Sequence, residues 1–157
     1  MIKFSDHLWF MQIALEESDK AYQKAEVPVG AVLVDSHGAI ITRQHNIKEY
    51  TGDPCAHAEL LALSEAGKIR KAWRLTDTYL YVTLEPCPMC LGAMIQARIK
   101  KLIFGAYDPK GGAISLNLNI HQNKKLNHQL EIIGGINQYQ CGTVLSNFFK
   151  ERRNHYS

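Results

Sequence analysis

The stretch YLYVTLEPCPMCLGAMIQARIKKLIFG at residues 79–105 decides the fold. Its first six residues, 79–84, are an apolar run of strand length, and residues 102–105 form a second, shorter run. Between them, residues 89–97 are apolar on all sides, which is typical of a buried helix. A strand, a helix and a strand in this order predict a crossover between parallel strands.

Upstream of this stretch, the pattern predicts two helices and a hairpin. The runs 31–35 and 39–42, joined by Ser-His-Gly, predict the hairpin. Residues 56–66 predict a buried helix that ends at a glycine cap, Gly67. The first helix is amphipathic, with Ser5 or Asp6 as its cap, and its apolar face consists of Met11, Ala14, Leu15, Ser18, Ala21, Tyr22 and Ala25.

Downstream, residues 108–127 are polar and rich in asparagine, which predicts a long loop with a short helical turn. Residues 131–134 predict a last strand, and residues 141–153 a closing helix. The inward stripe of that helix is Cys141, Val144, Leu145 and Phe148. Together the elements predict an α/β fold, a three-layer α/β/α sandwich around a mixed, mostly five-stranded sheet.

Length and composition favour one domain over residues 1–157, since 157 residues with 46% hydrophobic and 21% charged residues suit a single core. No run of 18 apolar residues occurs, which argues against a membrane span. Charged residues interrupt the first 18 positions, which argues against a signal peptide and predicts a cytoplasmic protein.

The charge is uneven along the chain. Residues 1–97 contain 9 basic and 12 acidic side chains, whereas residues 98–157 contain 9 basic and 3 acidic ones. The basic C-terminal part favours a polyanionic partner, although a solvated charged face is the alternative explanation.

Two predicted helix starts carry the residues of a metal site. His57 opens one helix, and Cys87 with Cys90 opens the other in a Cys-x-x-Cys motif. A reducing compartment makes disulfides improbable, and a helix N-terminus favours thiolates. One imidazole and two thiolates leave the fourth position of a tetrahedral Zn²⁺ open, as catalytic zinc sites do.

Glu59, two residues after His57, distinguishes catalysis from a structural zinc site. Positions i and i+2 do not face each other within a helix, so a shared site has to lie off the helix end. There a carboxylate can take a proton from a water that zinc activates. The combination H-x-E with P-C-x-x-C is typical of zinc-dependent nucleobase deaminases.

The chain resembles the bacterial tRNA adenosine deaminases of the cytidine deaminase-like superfamily. The resemblance covers nearly the whole chain and rests on these segments: VPVGAVLV at 27–34, Asn46, GDPCAHAEL at 52–60, TLEPCPMC at 83–90, ARIKKLIFGAYDPKGG at 97–112, NHQLEIIGGI at 127–136 and LSNFFKERR at 145–153. Two departures occur, Cys55 in place of the usual Thr, and Ile114-Ser115-Leu116 in place of small residues.

The resemblance implies a role for each matching residue. His57, Cys87 and Cys90 would bind one Zn²⁺ per chain, and Glu59 would move the protons. At the substrate, Asn46 and the backbone N–H of Ala58 would contact the base, and Val27, Pro28 and Leu84 would line its pocket. Asp108 would lie near a flanking ribose, and Phe149, Arg152 and Arg153 would meet the RNA. As a cation, Lys110 is predicted to contact a phosphate of the RNA, like Arg152 and Arg153. It also implies a homodimer with tRNA, through its anticodon stem-loop, as partner.

Simpler explanations exist for several of these residues. Asn46 could cap a turn. Phe148 is expected in the core, whereas Phe149, about 100° further round the helix, is the better RNA contact. Cys55 is expected to be a small buried residue and Cys141 a core residue. The histidines expected to be solvated are His121, His128 and His155.

The sequence thus predicts hydrolytic deamination at C6 of a wobble adenosine, with Glu59 passing protons to N1 and to the departing ammonia. One alternative is a guanine or cytosine/cytidine deaminase that acts on free bases or nucleosides. Another is a zinc-stabilised RNA-binding module without catalysis. Glu59 argues against the second alternative, and the basic C-terminal part argues against the first.

Overall fold

A computed structural model describes residues 2–155 and places five strands in one sheet. The strands are β1 (Gly30–Asp35), β2 (Ile40–His45), β3 (Thr78–Leu84), β4 (Lys101–Ala106) and β5 (Glu131–Ile133). The helices are α1 (Phe4–Gln23), α2 (Lys48–Thr51), α3 (Ala58–Arg70), α4 (Pro88–Gln96) and α5 (Gln138–His155), with a 3₁₀ turn at Ile120–Gln122.

The sheet has the order β2-β1-β3-β4-β5 and is mixed. β1 pairs antiparallel with β2 and with β3, whereas β3–β4 and β4–β5 are parallel pairs. The hairpin and the parallel crossover through α4 are therefore confirmed.

Alternating side chains of the strands face two helical layers. On one face, Leu33, Leu80 and Leu102 pack with α3 and α4. On the other face, Val32, Tyr81 and Ile103 pack with α1 and α5. The three-layer α/β/α sandwich around a mixed five-stranded sheet is thus confirmed.

α1 begins earlier than the sequence indicates. Its N-cap is Lys3, so Ser5 and Asp6 lie inside the first turn and the predicted cap is wrong. The Asp6 carboxylate accepts a hydrogen bond from the Lys3 backbone N–H at 2.7 Å, the reciprocal half of a capping box. Gly30 in β1 permits close packing on this helix, since a Cβ atom there would collide with the carbonyl oxygen of Ala14.

α3 also differs from its predicted boundaries. It continues past Gly67 to Arg70 and ends at Lys71, which has a left-handed conformation with φ of 54°. The predicted glycine cap is therefore wrong. Lys71 provides hydrogen bonds for the last carbonyl groups of the helix, because its N–H donates to the carbonyl oxygens of Gly67 and Lys68.

The remaining elements agree closely with the predicted pattern. α5 buries Cys141 and Phe148 and packs Val144 and Leu145 against the same core, as predicted. Within residues 2–155, no helix combines the length and the apolar character that a membrane crossing requires.

Candidate active site

The starts of α3 and α4 meet at one end of the sheet. His57 and Cys87 are the N-cap residues of the two helices, both with extended backbone. Pro88 follows at the first helical position, where its fixed φ suits a helix and its missing N–H costs nothing. Neither N-cap side chain caps its helix, so both side chains are available to the site. The positive ends of two helix dipoles therefore point at the same small volume.

The ligand atoms of His57, Cys87 and Cys90 form a set that fits zinc. They all lie within 4.8 Å of one another. Nδ1 of His57 lies 3.7 Å from Sγ of Cys87 and 3.5 Å from Sγ of Cys90. Zinc bonds of about 2.0 Å to nitrogen and 2.3 Å to sulfur in a tetrahedron separate N and S by about 3.5 Å. Both nitrogen-to-sulfur distances are therefore close to those of a tetrahedral zinc site.

The two thiols of the site differ in their acidity. A hydrogen bond from Cys90, followed by one from His57, lowers the pKa of Cys87 to about 4. The same bond to Cys87 raises the pKa of Cys90, and burial adds to that rise. The hydrogen bond to Cys87 raises the pKa of His57. Cys87 therefore favours its thiolate form beside the imidazole of His57. Thiolate sulfur and imidazole nitrogen are the donor atoms that Zn²⁺ prefers.

Glu59 lies on the first turn of α3 with its carboxylate at the site. It is 4% exposed, and burial raises the pKa of its carboxyl. It lines the same cavity as His57 and Cys87. A carboxylate whose pKa is raised accepts a proton more readily than an ordinary one, as a general base requires.

The cavity in front of these residues, which we call the base-sized cavity, has the volume of a small ring-shaped ligand. Its volume is about 140 Å³, and apolar cavities of about 150 Å³ bind benzene. The lining consists of Val27, Val29, Asn46, Lys48, His57, Ala58, Glu59, Leu84, Glu85, Cys87 and Asp108. Apart from Pro28, which is buried next to Val27, the residues predicted for the base pocket all line it.

Asn46 has the turn-capping role considered for it and keeps hydrogen-bonding groups free for the other. Its Nδ2 donates to the carbonyl oxygen of Val27, and its Oδ1 accepts from the N–H of Lys48, both at 3.1 Å. The second bond is an Asx turn, which is the turn-capping role. An amide has two donors and two acceptor sites, so one N–H and one lone pair stay available for a base.

A second cavity continues from the first along α5. The two share Val27, Leu84 and Asp108, and the second is about 640 Å³. Lys110, Phe149 and Arg153 line it, and Phe149 is 44% exposed. We call this second cavity the α5 groove. It brings three of the four predicted RNA-contacting residues together beside the base-sized cavity.

The structure places other predicted residues elsewhere. Arg152 lies over the Phe148 ring, 5.2 Å from its centroid. Cys55 is exposed, so the expectation that it is buried is wrong. His128 is half-buried, and its Nε2 forms a hydrogen bond with the carbonyl oxygen of Ile99. His121 is also half-buried, and its Nδ1 has no hydrogen-bond partner within residues 2–155. The expectation that these two histidines are solvated is therefore wrong. His155 is exposed.

Sequence reasoning missed three polar residues around the cavity. Lys48 and Glu85 line it directly. Glu26 is 1% exposed and accepts hydrogen bonds from the N–H groups of Glu49 and Tyr50, which fixes α2 behind Asn46. The available signal was their position in the sequence, because Glu26 and Glu85 each lie next to an apolar strand and a proline. Charged residues are rarely buried in such places unless hydrogen bonds or ion pairs stabilise them.

Comparison with known proteins agrees with this geometry. A family model described as the cytidine and deoxycytidylate deaminase zinc-binding region matches residues 4–106. The chain is 49% identical over 144 residues to the tRNA-specific adenosine deaminase of Bacillus subtilis (strain 168), which spans 92% of this chain and 89% of that protein. It is 47% identical over 143 residues to the tRNA-specific adenosine deaminase of Haemophilus influenzae, with coverage of 91% and 83%.

A solved structure is similar throughout. It comes from a study of A-to-I editing by tRNA:A34 deaminases at the wobble position of transfer RNA, with a TM-score of 0.83 and 38% identity over 87% of this chain and 99% of that chain. Fold, donor set and family match define a zinc-dependent deaminase domain. The chain belongs to the cytidine and deoxycytidylate deaminase family and, within it, to the tRNA-specific adenosine deaminases.

Proposed function

We propose that this protein converts adenosine to inosine at the wobble position of a tRNA anticodon. The observation that carries the proposal is the junction of two cavities, a base-sized one at the metal ligands and the α5 groove beside it. A small base fills the first cavity, whereas the groove, with Lys110, Phe149 and Arg153, suits a ribose-phosphate strand and a stacked base.

Each residue of the site then has a task in the hydrolysis. His57, Cys87 and Cys90 would hold the zinc ion, whose chemistry when bound would be to lower the pKa of a water to about 7 and so to supply a nucleophile at neutral pH. Glu59 would take one proton from the attacking water and pass it to N1 of adenine. It would then take the second proton from the new hydroxyl group on C6 and pass it to the amino group, which leaves as ammonia. The overall reaction consumes one water and releases one ammonia for each inosine formed.

Asn46 and Ala58 orient the base. The free N–H and lone pair of the Asn46 amide suit the edge of a purine. The N–H of Ala58 lies in the first turn of α3, where backbone donors lack an intrahelical partner. Val27 and Leu84 supply apolar walls, and Leu84 and Asp108 lead into the α5 groove.

The substrate has to be an unpaired nucleotide. C6 of an adenine stacked in a duplex is hidden, whereas a base in an anticodon loop can be splayed out at low cost. A free guanine or cytosine deaminase would need the first cavity alone. In such an enzyme, Lys110, Arg153 and the exposed ring of Phe149 would have no ligand to bind in the α5 groove. These groove residues therefore favour a tRNA substrate.

The protein is also proposed to act as a homodimer in the cytoplasm, where its tRNA substrate is found. Met89, Leu116, Leu118 and Ile120 are each about 40% exposed or more. Ile120 lies beside Gly92 of α4, and Met89 is three residues before Gly92 on the same helix. Leu116 and Leu118 precede Ile120 in the same loop. An apolar region of this kind is typical of a surface that a second subunit covers. Sedimentation of the purified protein tests the dimer.

Inosine mapping tests the proposed function. Total tRNA from a strain that lacks the enzyme is incubated with the pure, zinc-loaded protein, and inosine is located by sequencing. The expected result is inosine confined to position 34 of the tRNAs that encode adenosine there. A protein that leaves every tRNA unchanged, yet releases ammonia from guanine or cytosine, would refute the proposal.

A further inference from the structure

Glu85 is a buried carboxylate that the mechanism above does not use. It follows β3 directly, lies two residues before Cys87, and is 2% exposed. It lines the base-sized cavity. None of the ion pairs within the described part of the chain includes it. A buried charge without a cation needs several hydrogen bonds, and their donors indicate its task.

All these hydrogen bonds come from one segment, residues 108–115. Oε1 of Glu85 accepts from the N–H of Asp108 at 3.0 Å and from the hydroxyl of Ser115 at 2.5 Å. Oε2 accepts from the N–H of Ser115 at 2.8 Å. One carboxylate therefore holds the first and the last residue of this eight-residue segment.

The segment is folded closely around the carboxylate. A Cβ atom at Gly112 would collide with Oε2 of Glu85, so the close approach requires glycine at this position. The N–H of Gly112 donates to the carbonyl oxygen of Asp108, and the N–H of Ala113 donates to that of Pro86, both at 2.9 Å. The segment is thus attached to the strand end that leads to Cys87 at two successive residues, through the Glu85 side chain and through the Pro86 carbonyl oxygen.

The segment contributes residues to both cavities. Asp108 lines both of them, and Lys110 lines the α5 groove. The Asp108 carboxylate in turn accepts from the N–H groups of Lys110 and Gly111. The place of Asp108 and Lys110 relative to the metal ligands therefore depends on the hydrogen bonds to Glu85.

We propose that Glu85 is a positioning residue for RNA. It holds segment 108–115 so that Asp108 and Lys110 meet the strand next to the reactive adenosine. Ser115, which lies in the stretch that departs from the family pattern, donates two of the three hydrogen bonds to it. The inference rests on the proposed function for its substrate, and on the hydrogen bonds alone for its local effect.

Glu85→Gln in the zinc-loaded full-length protein tests the inference. The amide keeps the size of the side chain, but one backbone N–H of Asp108 or Ser115 then faces an NH₂ group and loses its acceptor. We expect faster hydrogen exchange in residues 107–116. We also expect Kd for an anticodon stem-loop with a wobble adenosine to rise about 10-fold, on the scale of one lost hydrogen bond to a charged group. The single-turnover rate at saturating RNA should stay within about 3-fold.

Two further variants complete the test. Glu17→Gln changes another buried carboxylate, bonded to Lys20 and His45, and should leave Kd unchanged. Ser115→Ala removes only the hydroxyl donor, so it should raise Kd in the same direction by a smaller factor even if Glu85→Gln does not fold.

Unchanged exchange in residues 107–116 together with unchanged Kd in Glu85→Gln and Ser115→Ala would overturn the inference. A collapsed single-turnover rate with unchanged Kd would also overturn it, since Glu85 would then act on the reacting atoms. A wild-type protein that fails to deaminate the stem-loop would refute the proposed function instead, and hydrogen exchange would still test the hold of Glu85 on the segment.

Discussion

Glu59 is the residue on which the proposed chemistry depends most. Glu59→Gln keeps the size and most hydrogen bonds of the side chain but removes its ability to accept a proton. We expect zinc content and stem-loop affinity to persist while kcat falls by at least about 100-fold, the usual contribution of a general base. Zinc analysis, fluorescence anisotropy with the stem-loop and steady-state kinetics measure the three quantities, and Glu65→Gln on the same helix is the control. Near-normal turnover in Glu59→Gln would identify another base.

Three of the four cysteines, Cys55, Cys87 and Cys141, should differ sharply in their reactivity toward an alkylating reagent. Cys55 is exposed, whereas burial raises the pKa of Cys141 to about 12. In zinc-free protein, hydrogen bonds from Cys90 and His57 hold the pKa of Cys87 at about 4, so it is a thiolate at neutral pH. Alkylation at pH 7 followed by mass spectrometry should label Cys55 in the holoprotein, add Cys87 after zinc is chelated, and spare Cys141. Labelling of Cys141 before Cys55 would contradict this assignment.

At the scale of single residues, the four residues that carry the proposed chemistry were easier to predict from the sequence than the polar residues around them. His57, Glu59, Cys87 and Cys90 were predictable because metal chemistry restricts residue type and spacing together. The positions of Lys48 and Glu85 at the cavity were not predictable, because the direction of a polar side chain outside the long helices and strands is settled only when the chain has folded. Cys55 illustrates the same limit, since nothing local distinguishes an exposed small residue from a buried one.

At the scale of elements, strands and helices followed from apolar periodicity, but their ends did not. α1 begins at Phe4 because Asp6 bonds back to the Lys3 backbone, although Ser5 and Asp6 are themselves good N-cap types. The four-residue α2 was missed because its fixing group, Glu26, lies more than twenty residues away in sequence. Contacts of this kind leave no local pattern.

Gly67 provides a test of the α3 boundary. It lies inside the helix, and a Cβ atom there would make an ordinary contact of 3.5 Å with the carbonyl oxygen of Ala72. Gly67→Ala should therefore raise the free energy of unfolding by about 0.5–1 kcal/mol. Urea denaturation at fixed zinc measures it. Gly52→Ala, at a position with φ of 67°, should lower stability instead. A loss of more than about 1 kcal/mol in Gly67→Ala would mean that the helix ends at Gly67.

The α5 groove makes a prediction about salt. Arg153 lines the groove, whereas Arg152 lies over Phe148. Each phosphate contact on a single strand contributes about 0.7 to the slope of log K against log salt. Arg153→Ala should reduce the slope for stem-loop binding by about this amount, and Arg152→Ala by less. Fluorescence anisotropy over a salt series measures it, with Lys68→Ala on α3 as the control. An unchanged slope in Arg153→Ala would remove Arg153 from the RNA interface.

At the scale of the whole molecule, the sheet and its helical layers form the core, and the functional residues lie at one end of it. The sheet and its two helical layers bring two helix starts together at one end. The loop after β4 and helix α5 add the groove beside them. The uneven charge of the sequence predicted a polyanion partner, and the structure places two of its C-terminal cations, Lys110 and Arg153, in that groove. The number of domains stays a prediction from length and composition.

The most direct measurement compares substrates for the wild-type protein at one zinc content and one salt concentration. The substrates are an anticodon stem-loop with adenosine at the wobble position, the same stem-loop with cytidine or guanosine there, free adenosine, free guanine and free cytosine. The base-sized cavity and the α5 groove together predict kcat/KM far higher for the adenosine stem-loop than for any other substrate. Comparable or faster turnover of free guanine or cytosine, without inosine in the stem-loop, would contradict the assignment.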